Sequence, residues 1–421
     1  MIFKTYLNLV AFALLAASHL PALVFANETG CVSTFDAKKD YFPDKVESKY
    51  GSGFEIIYKG NAKYIHNKIA GENYVLYQCG TPAPTDVNPT PADSLQVGNW
   101  TKMAAVPGSK IVLDSAPTSA ILEMLGLQNT VAASYKFFEV TSPCMQQLLS
   151  GLPRIAHKFN KRRLTRRVAY DIGNTDLQWT FTTYGMNDAH SFSVNPESAT
   201  DMLGKAEWIK FVAAFFNKEA EANKIFAEIE DRYNAAKHGS TTSATKKTVG
   251  FARYNKVANG TIIGWTIDQP QAWMAQGLAD AGLDVHNHDT AAFTDIDSFN
   301  KATSKWNVLI DLSMEPLTHG GAKVPEWDNL VSGYKVDDTH AKSSGSEALY
   351  LSDKSIYRSD LISSYRNATD YNEHLQIQVD VLLQDLRKLA TADSGATDTK
   401  WYRNLPNQVG INWVSAANCK N

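Results

Sequence analysis

The sequence predicts an α/β protein of two lobes built on mostly parallel sheets. Three observations carry this. The chain has 421 residues, too many for one apolar core. Lys110–Leu113, Ala120–Leu125 and Val131–Ala133 read as strand, helix and strand, the order that gives a parallel sheet with right-handed crossovers. Near the middle, Glu207–His238 carries apolar residues at helical spacing: Phe211, Phe215, Ala222, Phe226, Ile229 and Tyr233. A turn at Asn217-Lys218-Glu219 divides this stretch, leaving a second helix from about Glu219 to His238. No Gly or Pro interrupts it, and at 1.5 Å per residue it would span roughly 30 Å. Such a helix is either a stiff strut between lobes or an ordinary amphipathic helix packed on one sheet. Pattern alone favours the second.

Composition narrows the class. Hydrophobic residues make up 44% and charged residues 20%, as in a globular protein. A net charge of −3 gives no argument for nucleic acid or for an anionic membrane surface as partner, and neither is expected. Residues 1–26 read as a secretory signal: Lys4, then the apolar run Leu7–Leu15, then Val24-Phe25-Ala26 as a small-residue cleavage site. No later stretch is apolar for the length of a membrane span. The chain is therefore expected to be secreted, extracellular or at the cell surface. Its four cysteines, Cys31, Cys79, Cys144 and Cys419, then favour two disulfides. All three pairings stay open; Cys31 with Cys419 would tie the ends together, and Cys79 with Cys144 would staple the first lobe. A zinc site is disfavoured because no two of them lie at ligand spacing. Glycosylation sequons stand at Asn27, Asn99, Asn259 and Asn367.

Along the chain, Phe54–Tyr58 and Tyr74–Tyr77 read as strands. Pro117 suits the first turn of the helix after Lys110–Leu113, with Ser115 or Asp114 as cap. Ser142–Ser150 is a further helix and Trp179–Thr182 a further strand. In the second half, Thr248–Ala252 and Val308–Asp311 read as strands, Gln269–Gly282 as a helix, and Thr369–Ala390 as a closing helix. The tail to Asn421 is polar apart from Trp401, Tyr402 and Trp413.

The order of these segments resembles the class III periplasmic solute-binding proteins, the siderophore and vitamin B12 type that serves bacterial ABC importers. The resemblance covers about Phe54 to Ala390. It is carried by Lys110–Leu113 with Glu123-Met-Leu-Gly126, by Val131–Tyr135, by Asn174–Gly185, by Ala206–Phe211 before the long helix, by Ala279-Asp280-Ala281-Gly282, by Trp306–Asp311, and by Asp370-Tyr371-Asn372-Glu373 with Val379–Leu386. It implies two Rossmann-like α/β lobes joined by one long rigid helix, and so favours the strut. The implied division is residues 27–216 for the first lobe, 217–238 for the connecting helix, 239–390 for the second lobe and 391–421 for a C-terminal extension. Two departures stand out: Gln378-Val379-Asp380 replaces the family's Arg-Pro-Asp, and bacterial members lack the four cysteines and the extension. They point to a eukaryotic, fungal relative akin to ferrioxamine-binding proteins, for which no bacterial permease can be carried over.

The implied activity is capture of a ferric siderophore, or a similar metal chelate, in the cleft between lobes by a monomer. A corrinoid or haem ranks behind a siderophore. No cofactor is expected; iron would enter only as part of the chelate. Ligands of such folds sit beyond the carboxyl ends of the strands. The candidates are therefore Ser115, Tyr135 and Tyr184 on the first lobe, with Arg253, Tyr254, Trp265, Ser313-Met314 and Trp327 on the second. Aromatic faces suit a bulky, partly apolar chelate, and Arg suits oxygen-rich edges. Any single aromatic among them is also an ordinary core residue. The run Lys158, Lys161, Arg162, Arg163, Arg166 and Arg167 reads as a solvated loop. A second reading is direct binding of a zinc- or manganese-type ion by His286, His288 and Asp289 with His319 or His340. A third is a secreted hydrolase, or a relic of the fold that binds nothing. No enzyme is expected, because the chain shows no Gly-x-Ser-x-Gly elbow, no His-Glu-x-x-His and no phosphate-cradling Gly loop.

Overall fold

Lys63 sits in a strand yet is fully buried, and its surroundings show how the first half is assembled. The computed structural model describes residues 30–85, 102–152, 178–183, 190–238, 246–257, 259–286, 290–313, 333–334 and 348–420. Strands β1 (Phe54–Lys59), β2 (Ala62–Asn67) and β3 (Glu72–Gln78) form an antiparallel meander, and β4 (Lys102–Val106) adds parallel to β3. The Lys63 ammonium lies 2.5 Å from Glu219 and donates to Ala214 O at 2.6 Å and Asn217 Oδ1 at 2.8 Å. It thereby fixes the start of the long helix.

The next unit follows the predicted order. Strand β5 (Ile111–Asp114) leads into helix α1 (Ala116–Met124), then β6 (Val131–Ser134), α2 (Pro143–Ser150), β7 (Trp179–Thr182) and β8 (Ser191–Ser193). The sheet is parallel throughout, in the order β6-β5-β7-β8. Ser115 is the N-cap residue of α1 in extended backbone, and Pro stands in the first turn, although no side-chain cap bond forms. Helices α3 (Met202–Ala206) and α4 (Trp208–Ala214) are buried along their whole length. Asn217, in the left-handed region at φ 54°, makes the turn into α5 (Glu219–His238).

The second half is built on one mixed sheet. Its elements are β9 (Thr248–Lys256), β10 (Ile262–Asp268), α6 (Ala272–Asp280), β11 (Asp284–Val285), β12 (Ala291–Phe293), α7 (Ile296–Thr303), β13 (Val308–Asp311), α8 (Leu349–Ser352), β14 (Ile356–Arg358), β15 (Ile362–Ser364), α9 (Asp370–His374), α10 (Val379–Thr391), β16 (Arg403–Asn404) and β17 (Asn412–Val414). The order is β12-β10-β9-β13-β14-β16, with β11 beside β9. Strands β11, β9, β13 and β14 run parallel, and β10, β12 and β16 pair antiparallel. Gly250 lets β9 pass Trp306, whose ring would lie 2.2 Å from a Cβ there.

One expectation is corrected: the closing helix is two helices, α9 and α10. In the C-terminal extension, residues 391–421, Trp401 and Tyr402 are fully buried in the main core, β16 extends the second sheet and β17 pairs with β15. A buried carboxylate holds the backbone of this polar stretch. Asp385 accepts from the amides of Lys400 and Trp401, both at 2.8 Å.

Helix α5 packs on α4 on one side and on α10 on the other. Tyr50 donates to Glu230 at 2.5 Å from the first half; Asp380 takes Arg232 Nε at 2.6 Å, and Tyr233 donates to Asp280 at 2.6 Å, in the second. The helix is thus bonded to both halves. One apolar cluster runs from Phe42 through Phe215, Phe226 and Ile229 to Phe251, Leu386 and Trp401. The disulfides take the pairing Cys31–Cys79 and Cys144–Cys419. The second joins α2 to the C-terminal segment across 275 residues of sequence.

Candidate ligand-binding site

On the second half, the residues expected just past β9 belong to the strand itself, because β9 runs on to Lys256 as a hairpin with β10. Trp265, expected in the following loop, lies in β10 opposite Tyr254. Both rings are buried: Tyr254 stacks edge-on to Tyr334, and the Trp265 indole donates to Gly333 O at 2.9 Å. Arg253 is half-exposed and pairs with Asp268 at 3.1 Å.

The carboxyl ends of β13 and β14 meet in a buried ion pair. Arg358 Nε and Nη2 both donate to Asp311 Oδ2, the first at 2.8 Å. Asp311 Oδ1 accepts from Tyr334 OH at 2.8 Å, Ser313 N at 3.0 Å and Ser313 Oγ at 2.6 Å. Burial pulls the Arg358 pKa down, but the Asp311 and Asp360 charges and the Asp311 bonds more than offset this and hold it above its ordinary value. Burial, then the Asp311 charge, pushes the Tyr334 hydroxyl well up. These groups are engaged with one another, so the cluster stiffens this end of the sheet.

The first half presents a different surface. Ser115 is buried at the α1 cap, and Tyr135 is buried directly after β6, its amide donating to Leu113 O at 2.9 Å. Three residues further on the chain turns outward. Phe138 is 55% exposed and lies against Phe137. The Arg366 guanidinium lies 4.9 Å from the Phe137 ring and 5.4 Å from the Phe138 ring. Arg366 reaches them from the turn after β15. Beside it Tyr365, 45% exposed, stacks on Trp413 at 5.2 Å with planes 6° apart, a contact set by the parallel pairing of β15 with β17. Phe137 and Phe138 therefore meet Arg366 where the carboxyl end of β6 faces the turn after β15, next along the chain to the Tyr365–Trp413 stack.

Among the candidates, Tyr184, Met314 and Trp327 lie outside the described residues, as do His288, Asp289, His319, His340 and the basic run 158–167. His286 is described and sets its ring edge on Trp306. Sequence reasoning missed Phe137, Phe138, Tyr365, Arg366 and Trp413. Phe137-Phe138 just after a predicted strand was the available signal; Arg366 and Trp413 join it only through tertiary pairing.

A second cluster, also missed, joins the halves. Glu373 is fully buried; its Oε1 accepts from Ser119 Oγ at 2.9 Å, and its Oε2 from Thr141 N and Thr141 Oγ1 at 2.5 Å each and from Ser142 N at 3.1 Å. Asp370 takes His374 Nδ1 at 3.1 Å, Thr141 Oγ1 at 3.2 Å and the Trp401 indole at 2.8 Å, with Lys400 at 3.6 Å. Burial pushes the Asp370 carboxyl up, but the His374 bond and charge, then Lys400, hold it well below the usual carboxylate range. Burial pulls His374 down, and the Asp370 bond and charge more than reverse this and raise it. Asp370, Glu373 and His374 could converge on a cation. Every carboxylate oxygen is already engaged, so an ion would have to displace these bonds; the trio acts as a clasp between α9 and the α1–α2 region.

No helix among the described residues is long and apolar enough to cross a membrane. No family model matches the chain, and no curated protein matches it. Among solved structures it is similar to a possible iron-binding periplasmic solute-binding protein from Staphylococcus epidermidis, at 12% identity and TM-score 0.43 over 68% of this chain and 99% of that one. It is similar to an ABC-type Fe3+-hydroxamate transport protein from Saccharomonospora viridis, at 12% identity and TM-score 0.42 over 68% and 94%. It is also similar to a periplasmic heme-binding protein from Pseudomonas aeruginosa, at 11% identity and TM-score 0.44 over 72% and 99%.

Proposed function

We propose that the chain is a secreted solute-binding protein that captures a ferric siderophore, or a chemically similar metal chelate, at the junction of its two halves and does no covalent chemistry. The supporting observation is the exposed set of Phe138, Tyr365 and Arg366, backed by Phe137 and Trp413, at the carboxyl end of β6. Flat rings bind the apolar periphery of a chelate, and a guanidinium held over two of them takes its oxygen-rich edge. Iron enters and leaves inside the ligand. The clasp at Glu373 and the disulfide Cys144–Cys419 support a rigid site, which limits the ordering cost of binding. Two disulfides and the leader-like sequence of residues 1–26 support secretion, and Asn259 and Asn367 are exposed sequons available to glycans.

The test is a tryptophan-fluorescence titration, for which nine tryptophans give the signal. The titrants are a ferric trihydroxamate, its iron-free form, cyanocobalamin and haem, with free tryptophan as the inner-filter control. Saturable quenching by the ferric chelate is expected, weakened about tenfold in Arg366→Ala, the effect of losing one desolvated cation contact. No saturation by any of the four sinks the reading. Unchanged affinity in both Arg366→Ala and Phe138→Ala sinks the site.

A further inference from the structure

The C-terminal segment changes its mode of attachment after Leu405. Up to that point it is anchored in the core: Asp385 takes the amides of Lys400 and Trp401, Arg403 donates to both Asp360 oxygens at 2.7 and 2.8 Å, and Leu405 is buried. From Gly410 to Lys420 no side chain is buried. This stretch is attached by β17, paired over three residues with β15 in a sheet of two strands. The Asn412 amide donates to Leu361 O at 2.7 Å, Trp413 stacks on Tyr365, and the turn Ala416–Asn418 packs on α2. The disulfide Cys144–Cys419 closes the far end. A sheet of two short strands is marginal by itself, so the covalent bond carries much of the attachment.

The two ends of that bond are fixed unequally. Cys144 lies in the first turn of α2, and the chain before it is held by Glu373, which accepts from the amides of Thr141 and Ser142. Cys419 has a local bond, its amide donating to Ala416 O at 3.2 Å. Both residues are partly exposed, and thiol exchange needs such access. Opening the bond therefore leaves α2 and Leu405 in place and frees the stretch between Gly410 and Lys420. That stretch carries Trp413, the backing of Tyr365, whereas α2 follows Phe137 and Phe138. The disulfide thus ties together the two sides of the exposed ring set.

We propose that Cys144–Cys419 is a redox-operated strap on the chelate site: reduction frees residues 410–420, draws Trp413 off Tyr365 and lowers affinity for the chelate. The control of affinity rests on the chelate reading above; the release of the strap does not. The reductant is a dithiol. One of its thiolates attacks one sulfur, the other cysteine leaves as a thiolate and takes a proton, and the second dithiol sulfur then displaces the first cysteine as it closes its own disulfide. Two electrons and two protons pass to the cysteines.

Hydrogen exchange read by mass spectrometry on the full secreted chain compares the oxidised parent, the parent in dithiothreitol and the variant Cys144→Ser with Cys419→Ser. Alkylation reports which cysteines are reduced. The peptide over 410–420 should exchange at least tenfold faster in the reduced parent and in the variant. The peptide over β13, where the Leu309 amide donates to Ser355 O at 2.9 Å, should stay protected over the same labelling time. Affinity for the ferric trihydroxamate should fall about fivefold in both open forms and return when the parent is reoxidised. The proposal is overturned if dithiothreitol leaves Cys144 and Cys419 bonded in the folded chain, or if the strap peptide exchanges alike in all three forms. Loss of protection at β13 together with the strap overturns it too, because the bond would then be a general staple. So does an open strap with unchanged affinity. Absence of chelate binding in every form sinks the chelate reading and with it the control of affinity, and exchange then decides the strap by itself.

Discussion

Replacing Glu373 by Ala removes the acceptor of four hydrogen bonds at once: Ser119 Oγ, Thr141 N, Thr141 Oγ1 and Ser142 N. The two hydroxyls can rotate toward other partners; the two backbone amides cannot. A stranded buried donor costs about 1–3 kcal/mol, and bonds to a charged acceptor stand at the upper end of that range. Relief of the carboxylate's own desolvation offsets part of this. The expected loss is therefore about 3–5 kcal/mol, large for one side chain. Glu373→Gln keeps one carbonyl oxygen but turns an NH2 toward a donor, so an intermediate loss is expected. Urea unfolding followed by tryptophan fluorescence measures both, with Thr141→Val and the double variant completing a cycle. A loss under about 1 kcal/mol in Glu373→Ala, or simple additivity with Thr141→Val, would show that the clasp does not join the halves energetically.

Two further outcomes follow from the same region. Cys144→Ser with Cys419→Ser opens a loop whose ends are 275 residues apart in sequence; chain entropy sets the loss at about 5.6 kcal/mol at most, read as a lower urea midpoint than the parent's under non-reducing conditions. His374 has a raised pKa in the folded chain, so its protonated form stabilises: the contribution is complete below the unfolded value of about 6.5 and disappears as pH rises through the folded value. Stability of the parent relative to His374→Asn should then shrink as pH rises above about 6.5, and a difference that grew with rising pH would overturn the assignment.

The backbone framework was largely legible. Helix α5 has the bounds its spacing predicted, because an uninterrupted apolar stripe flanked by a turn leaves few alternatives. The strands β5, β6, β7 and β13 fell within about a residue of expectation, being short segments buried on both faces. Strand β2 escaped because Lys63 broke its apolar alternation, and only the long-range partner Glu219 makes that lysine a core residue. The site was less legible. Arg253 and Tyr254 were placed by assuming that β9 stops at Ala252, whereas pairing with β10 extends it. Arg366 and Trp413 gain their place from the β15–β17 pair, a register no local pattern encodes. Polarity misled at the tail, where Asp385 satisfies the backbone that carries Trp401 inward.

The apolar cluster that runs without a break from Phe42 to Trp401 has a consequence for how the molecule can fail. Val249, Phe251 and Ile310 belong to the same cluster as Phe192 and Phe215, so neither half owns a complete interior. A half made alone would turn those side chains to water, and it would aggregate before it bound anything. Damage at one end is correspondingly not local. A lost side chain near Trp401 is felt by the strands around Phe192, and probes placed at the two ends should report one melting event.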